Sequence, residues 1–247
     1  MPKATYPERP TKAMSEKKSP TQTQIPAIPK KQIKWFRQQI LSWSAANFRD
    51  FPWRRTTDPY AIFIAEVLLQ KTDAATVEKI YETFLTRYPD IKAIAHAEIE
   101  EIAQLLAPLG LHFRAERLHR SAQIILEKYG GQIPDQEAEL MELPGIGKYT
   151  ARSICACAFG QPLATLDTNI VRIIERSMGI KGNRVKSRCK ILWGTAELLA
   201  PNKNVGVWNL TLIDFGAAIC TATRPRCENC PLQGNCHYAK TNSGLYH

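Results

Sequence analysis

The sequence predicts an all-α protein. From Gln32 onward, apolar residues recur at the three- and four-residue spacing of amphipathic helices along almost the whole chain. Short turns rich in Gly, Pro and Asn separate these segments, as at Gly130-Gly131 and Pro201-Asn202. No segment alternates apolar and polar residues in the manner of a half-buried strand. A hydrophobic fraction of 44% in 247 residues suffices for one or two domains with a full core.

The individual helices follow from local signals. Apolar stripes at helical spacing are formed by Ile33, Phe36 and Ile40, by Ile62, Phe63 and Val67, and by Val77, Tyr81 and Phe84. A helix should begin at Asp58-Pro59, because Asp is a favoured N-cap and Pro fits the first helical turn. Further helices are predicted near residues 98–106, 113–129, 136–141, 147–158, 168–178, 187–199 and 206–219. The longest apolar stretch, residues 60–69, is interrupted by Glu66 and is too short for a membrane span, so no membrane partner is expected.

Positive charge is concentrated in two segments. The chain carries 33 Lys and Arg against 23 Asp and Glu, a formal net charge of +10 that favours a polyanionic partner. Residues 1–31 hold seven basic and two acidic residues and six of the 16 prolines, which predicts a disordered tail that either solubilises the protein or tethers it to DNA. In residues 181–210 we expect Arg184, Lys186 and Arg188 to contact a nucleic-acid backbone. The absence of a signal-peptide pattern predicts an intracellular protein of the cytoplasm or nucleoid.

Four of the seven cysteines form a compact group, with the spacing Cys220-x6-Cys227-x2-Cys230-x5-Cys236. Four thiols so close together in an intracellular chain indicate a metal centre rather than disulfides. Spacing alone leaves a [4Fe–4S] cluster and zinc equally open, because only one Cys-x2-Cys pair is present. Cys155 and Cys157 lie in an apolar helical segment and are expected to be buried small side chains.

The run Leu143-Pro144-Gly145-Ile146-Gly147-Lys148 joins two helical segments. Its glycines permit positive φ and close approach of the backbone, and the free N–H groups at the start of the next helix attract anions. We therefore expect Leu143, Gly145, Gly147 and Lys148 to contact a DNA phosphate without reading sequence. The same run could equally be an ordinary turn between helices.

Asp167 follows an apolar run, 22 residues after Gly145, and begins the next predicted helix. It is a good N-cap, and the helix dipole should keep its carboxylate ionised at pH 7. Such a carboxylate can also stabilise a cationic sugar while the bond to a base is broken. One residue can serve both purposes.

In this order and spacing, the hairpin, the aspartate and the cysteine pattern resemble the helix-hairpin-helix (HhH-GPD) DNA glycosylases of the endonuclease III and MutY superfamily. The resemblance extends over about residues 35–237. It implies a monomeric base-excision-repair glycosylase with a [4Fe–4S] cluster on the four cysteines and Asp167 as the catalytic aspartate. It also implies a six-helix domain over residues 56–162 and a second helical domain from residues 32–55 and 163–247, which carries the cluster. Double-stranded DNA would bind in the groove between them.

Two residues point to a branch of this family. Tyr149 occupies the position at which endonuclease III-type enzymes have a Schiff-base lysine, so the resemblance implies a monofunctional glycosylase without strong AP-lyase activity. Glu66 lies among apolar residues, and its pKa should be raised unless it is paired at a buried helix end. Its segment resembles the stretch that places a glutamate in the base pocket of MutY-type and MIG-type enzymes. By that resemblance Glu66 would contact or protonate the extruded base as a general acid.

The resemblance also assigns residues to the DNA-facing surface. Gln70 matches the residue that fills the gap left by the extruded base, and the loop with Leu111 and His112 matches a second wedge. Asn169 is expected on the same surface, where it would orient Asp167 or the local backbone.

The resemblance further bears on the substrate. Thr168 departs from the Gly that MutY-type enzymes usually have after the aspartate, and the segment 209–216 resembles the MIG-type form. The eleven residues after Cys236 leave no room for the domain with which MutY-type enzymes read 8-oxoguanine. We expect removal of thymine or uracil opposite guanine from mismatched or damaged DNA. An adenine glycosylase without that domain and a non-catalytic iron–sulfur DNA-binding protein are the alternatives.

Overall fold

A computed structural model describes residue 25 and residues 27–110 and 113–242. Over these residues the regular structure is helical throughout, which confirms the all-α prediction. The α-helices are α1 (Lys30–Asn47), α2 (Pro59–Leu68), α3 (Ala74–Arg87), α4 (Ile91–Ala95), α5 (Ile99–Leu106), α6 (Phe113–Tyr129), α7 (Glu137–Leu140), α8 (Lys148–Ala158), α9 (Thr168–Met178), α10 (Lys190–Leu199), α11 (Val205–Ala218) and α12 (His237–Thr241). Short 3-10 helices occupy Pro52–Arg54, Ala107–Leu109, Lys186–Arg188, Cys227–Asn229 and Gln233–Asn235.

Aspartate side chains define several helix starts. Asp58 accepts hydrogen bonds from the Tyr60 and Ala61 N–H groups, with Pro59 as the first helical residue, as the sequence predicted. Asp73 and Asp90 cap α3 and α4 in the same way. The sequence did not predict α4 and α12, because five residues are too few to establish a helical period.

Two separate clusters of buried hydrophobic residues organise the helices. The first cluster extends from Trp53 to Cys155 and includes the fully buried Phe63, Phe84 and Leu118. The second cluster combines α1 with residues 164–232 and includes Phe36, Trp208 and Phe215. Chain segments distant in sequence therefore meet in the second cluster, whereas the first is built from one continuous stretch.

We propose domain boundaries from these clusters. Trp53 packs in the first cluster, so we place the first boundary between the two domains near residue 51 rather than after residue 55. Leu163 packs against the first cluster and Ala164 belongs to the second, which is consistent with a second domain boundary after residue 162. Most of the predicted basic tail, residues 1–24 and 26, lies outside the described residues.

Helix α8 lies where the two clusters meet. Gly206 at the start of α11 packs so closely on α8 that a Cβ there would lie 2.8 Å from the Ala156 carbonyl oxygen. Arg152 of α8 pairs with Glu137 at 3.1 Å and with Glu197 of α10. Residues on α8 are consequently held from both sides. Among the helices of the described residues, none has the length and apolar character needed to cross a membrane.

Candidate active site

Asp167 stands at the N-terminus of α9, where the sequence placed it. Its Oδ1 accepts a hydrogen bond from the Ile170 N–H at 2.7 Å, and its Oδ2 accepts one from Asn169 Nδ2 at 2.7 Å. Burial raises the pKa of Asp167 above its ordinary value, while these hydrogen bonds lower it. Asp167 is thus a true helix cap whose carboxylate is also oriented by a side chain.

Asn169 connects Asp167 to the loop with the first clustered cysteine. Its Oδ1 accepts a hydrogen bond from Arg172 Nη2 at 2.7 Å, and Arg172 also donates to the carbonyl oxygens of Gly216 and Cys220. A Cβ on Gly216 would lie 2.5 Å from the Asn169 Cβ, so only glycine fits there. Because both ends of the Asn169 amide are occupied within the protein, the geometry favours the role of orienting Asp167; its contact with DNA stays a prediction.

Glu66 is buried on α2 with 9% of its surface exposed. Its Oε1 accepts a hydrogen bond from Ser153 Oγ at 2.8 Å. Burial raises the pKa of Glu66 to about 7, although the Ser153 hydroxyl and the positive charge of Arg54 lower it. The carboxyl group is therefore partly protonated at neutral pH, as its apolar surroundings predicted, and it can donate a proton.

Tyr149 lies in the first turn of α8, where the carboxyl groups of Glu66 and Asp167 are both close to its phenol. Burial raises the pKa of its phenol well above the ordinary value, and the nearby charges of Glu66 and Asp167 raise it further. The phenol is accordingly neutral. The fold thus brings together Glu66, Tyr149 and Asp167, which are separated by up to 101 residues in sequence.

The hairpin exposes its two glycines. Gly145 has φ of +83° and faces Arg117, whereas Gly147 is the N-cap of α8. The Leu143 side chain is buried in the first cluster, so its predicted phosphate contact would come from the backbone. Lys148 Nζ lies 4.4 Å from the ring centroid of Trp193 as a cation–π contact.

Gln70 lies beside this hairpin, because its Nε2 donates to the Gly145 carbonyl oxygen at 3.1 Å. The buried Arg114 guanidinium holds the turn around Gln70 through the Leu68 and Gln70 carbonyl oxygens and the Thr72 hydroxyl. The predicted second wedge, Leu111 and His112, lies outside the described residues.

The predicted basic patch contains two exposed arginines and a lysine held in an ion pair. Arg184 and Arg188 are exposed. Lys186, in contrast, donates to the carboxylate of Glu175 and to the Gly182 carbonyl oxygen. The two arginines are therefore better placed than Lys186 to contact an anionic backbone.

The four C-terminal cysteines line one apolar cavity beside α9, together with residues such as Ile173, Phe215 and Leu232. The four thiols therefore share one apolar pocket, as the ligands of one metal centre would. Arg176 Nη1 lies 3.6 Å from Cys220 Sγ, a hydrogen-bond donor suited to a thiolate ligand.

Several side chains at this site were missed by the sequence interpretation. Ser153 and Arg172 carried no motif of their own, although Arg172 shares a helix face with Asn169. Arg54 and Arg49 both donate to the buried carboxylate of Asp214, and these hydrogen bonds hold its pKa below the usual value although burial alone would raise it. These partners are 160 or more residues apart, so no local pattern could reveal them.

Comparisons with known proteins agree on one family. Residues 64–196 match the model of the HhH-GPD superfamily of base excision DNA repair proteins, and residues 220–236 match the iron-sulfur binding domain of endonuclease III. The thymine/uracil-DNA glycosylase of Methanothermobacter thermautotrophicus is 39% identical over 84% of this chain and 95% of the relative. The human adenine DNA glycosylase is 36% identical over 81% of this chain but only 39% of the relative. A thermostable thymine-DNA glycosylase structure aligns with a TM-score of 0.82 and 39% identity, covering 85% of this chain and 98% of that one.

Proposed function

The chain belongs to the HhH-GPD superfamily of base excision DNA repair proteins and is a DNA glycosylase with an iron–sulfur cluster, and we propose that it removes thymine or uracil opposite guanine. Its similarity to the thymine/uracil-DNA glycosylase, 39% identical over 84% of this chain, exceeds its 36% identity over 81% of this chain to the human adenine DNA glycosylase, which supports this substrate. The observation that carries the proposal is that Glu66 and Asp167 both lie near the buried phenol of Tyr149, on a helix that packs against α2 and α11.

Asp167 stabilises the positive charge that develops on the deoxyribose. Its carboxylate is fixed by the Ile170 N–H and the Asn169 amide, so it needs no reorganisation when C1′ becomes cationic. The electron pair of the C1′–N1 bond leaves with the base, the oxygen of a water molecule bonds to C1′, and the proton that this water loses passes to the surrounding solvent. The products are a free base and an abasic site.

Glu66 supplies hydrogen-bond or proton donation to the departing base. A pyrimidine leaves as an anion spread over N1 and its carbonyl oxygens, and a protonated carboxyl group near neutral pH can neutralise it. Tyr149 lines the space between the carboxyl groups and offers no amine. We therefore propose a monofunctional reaction, in which strand cleavage requires a later step.

DNA binds on the face that carries the hairpin and the exposed arginines. The Gly145–Gly147 backbone and the start of α8 are suited to one phosphate, and Arg184 and Arg188 to another part of the backbone. Gln70, held beside Gly145, is placed to enter the stack after the base rotates out. We propose that the enzyme acts as a monomer on mismatched duplex in the cytoplasm or nucleoid.

Cys220, Cys227, Cys230 and Cys236 hold the [4Fe–4S] cluster. When bound, the cluster would join four points of the C-terminal loop beside α9 and would contribute structure rather than chemistry at the sugar.

The test is a panel of duplexes with T:G, U:G, A:G, A:8-oxoG and thymine glycol, each scored before and after alkali. We expect abasic sites at T:G and U:G, revealed as strand breaks only after alkali. Excision of adenine alone would mean that adenine, and not thymine or uracil, is the substrate. Strand breaks before alkali would contradict the monofunctional reaction. Binding without excision of any base would leave the non-catalytic alternative.

A further inference from the structure

Two parts of the proposed DNA-binding face lie on different segments of the chain. The hairpin leads into α8, whereas Arg184 and Arg188 lie on the loop between α9 and α10. Both arginines are exposed, and phosphate contacts fix the orientation of a protein on DNA only when their own positions are defined. A contact that sets this loop relative to the hairpin would let both segments bind one DNA backbone.

The indole of Trp193 on α10 is anchored to α8, and only 7% of this residue is exposed. Lys148 Nζ lies 4.4 Å and Arg152 Cζ lies 5.3 Å from the ring centroid, so two cations on one face of α8 contact a single aromatic ring. Arg152 also forms ion pairs with Glu137 and with Glu197, which follows Trp193 by one turn of α10. The ring is consequently fixed against the start of α8.

The same indole holds the loop. Its Nε1–H donates a hydrogen bond to the Ser187 carbonyl oxygen at 2.9 Å, and Ser187 directly precedes Arg188 in the short 3-10 helix. Another part of the loop is tied to α9, because Glu175 accepts hydrogen bonds from the Gly182 N–H and from Lys186. The exposed arginines therefore stand on a loop that is held at two points, and Trp193 supplies the contact that leads to α8.

The charges around the ring differ in what they can contact. Glu137 and Glu197 balance the buried Arg152 guanidinium within the protein. Lys148 is exposed and adds its charge to the positive end of α8, which is unfavourable for an isolated helix and is offset in part by the face of the indole. The exposed charge of the hairpin helix and that of the loop are thus connected through one buried side chain.

We propose that Trp193 is a positioning residue for DNA binding, which fixes the loop with Arg184 and Arg188 relative to the hairpin so that both segments bind the same DNA backbone. The inference rests on the proposed function, which places these segments on the DNA. A loop that is already fixed loses less conformational freedom on binding, so its arginines contribute more to the affinity. Trp193 acts through the arginines and does not itself contact the DNA.

The test is W193F, which changes no charge. Phenylalanine keeps an aromatic ring beside Lys148 but removes the N–H group that holds the Ser187 carbonyl. Binding of the full chain to a duplex with tetrahydrofuran opposite guanine, which cannot be cleaved, is measured by fluorescence anisotropy at 50–200 mM salt. We expect about fivefold weaker binding, as for the loss of one hydrogen bond. The slope of log affinity against log salt should fall by about 1, because the loosened arginines neutralise fewer phosphates. W35F changes a tryptophan of α1 that packs against the second cluster, and it should alter neither quantity.

Repeating W193F in the R184Q/R188Q background separates positioning from a general structural effect. No arginines remain there to be positioned, so W193F should change the affinity by less than about 1.5-fold. An equal loss of affinity in both backgrounds, or no loss in either, would overturn the inference. If W193F fails to fold, as judged by its melting curve and cluster absorbance, 3-benzothienylalanine at position 193 removes the same N–H group while keeping the shape of the ring, and the same outcomes decide. Since this DNA cannot be cleaved, a negative result is distinct from a failure to excise thymine or uracil.

Discussion

The two hydrophobic clusters present their carboxyl groups in different ways. Glu66 in the first cluster relies on burial and one hydroxyl donor, Ser153, and its pKa is raised to about 7. Asp167 in the second receives a backbone and an amide hydrogen bond at a helix N-terminus. A proton donor thus arises from local packing, whereas a fixed anion requires a network of hydrogen bonds that extends to the cysteine loop.

The largest expected effect follows from D167N. This change removes the negative charge but preserves the shape of the helix cap, so single-turnover excision should fall by about 10³-fold. Binding of the mismatched duplex should be retained, because the substitution does not reduce positive charge. Unchanged excision would mean that the anion of the second cluster is not the catalytic one.

E66Q should have a smaller effect with a different pH signature. Loss of a general acid lowers excision by about 10²-fold. Because the pKa of Glu66 is about 7, wild-type excision should decline as pH rises above neutral, and this decline should be absent in E66Q. Single-turnover rates between pH 5.5 and 9 measure it; a parallel profile in both proteins would assign the ionisation elsewhere.

E66Q also tests the raised pKa of Glu66 through the pH dependence of the unfolding free energy. Its raised pKa stabilises the fold at low pH, and this contribution is lost as pH rises from about 4.5 through about 7. Relative to E66Q, wild type should therefore lose about 2–3 kcal/mol of unfolding free energy between pH 5 and pH 8. Urea denaturation at both pH values measures the difference. An identical pH dependence would show that Glu66 stays ionised in the folded protein.

Most helices and their order followed directly from the sequence, because apolar spacing and Asp caps are local features; α4 and α12 were too short to show them. Asp167 and Glu66 could be singled out as a helix cap and as a carboxyl group in an apolar segment, whereas Tyr149 was identified only through the family resemblance. Ser153, Arg54 and Asp214 could not, since their roles depend on partners brought together only by the tertiary fold. The paired state of Lys186 was hidden for the same reason: Glu175 lies in the helix before it and becomes its partner only after folding.

R172M tests the hydrogen-bond network around Asp167 and should have a smaller effect. Arg172 holds the Asn169 carbonyl and the Cys220 carbonyl at once, so its loss should let the Asn169 amide turn away from Asp167. We expect about a tenfold lower kcat with little change in KM, since one charged hydrogen bond contributes roughly 1.5–3 kcal/mol. R176M serves as the comparison, because Arg176 holds the loop at Thr221 and Ala222 without contacting Asn169. Equal losses of kcat in both variants would indicate general loosening of the loop instead.

The smallest expected effect is on the salt dependence of DNA binding, which reflects the +10 net charge of the chain. Part of this charge lies on the surface around the second cluster. Arg184 and Arg188 are exposed, so the double variant R184Q/R188Q should reduce the slope of log affinity against log salt by about 2. K186Q removes the same type of charge from the same patch. Its slope should barely change, because Glu175 already neutralises that ammonium group. Fluorescence anisotropy with a G-mismatched duplex at 50–200 mM salt measures both. If K186Q lowers this slope as much as the loss of one arginine does, the Lys186–Glu175 ion pair opens on DNA and all three basic residues contact the DNA backbone. If neither variant changes the slope, DNA does not pass over this patch, and the charge of the patch serves solubility.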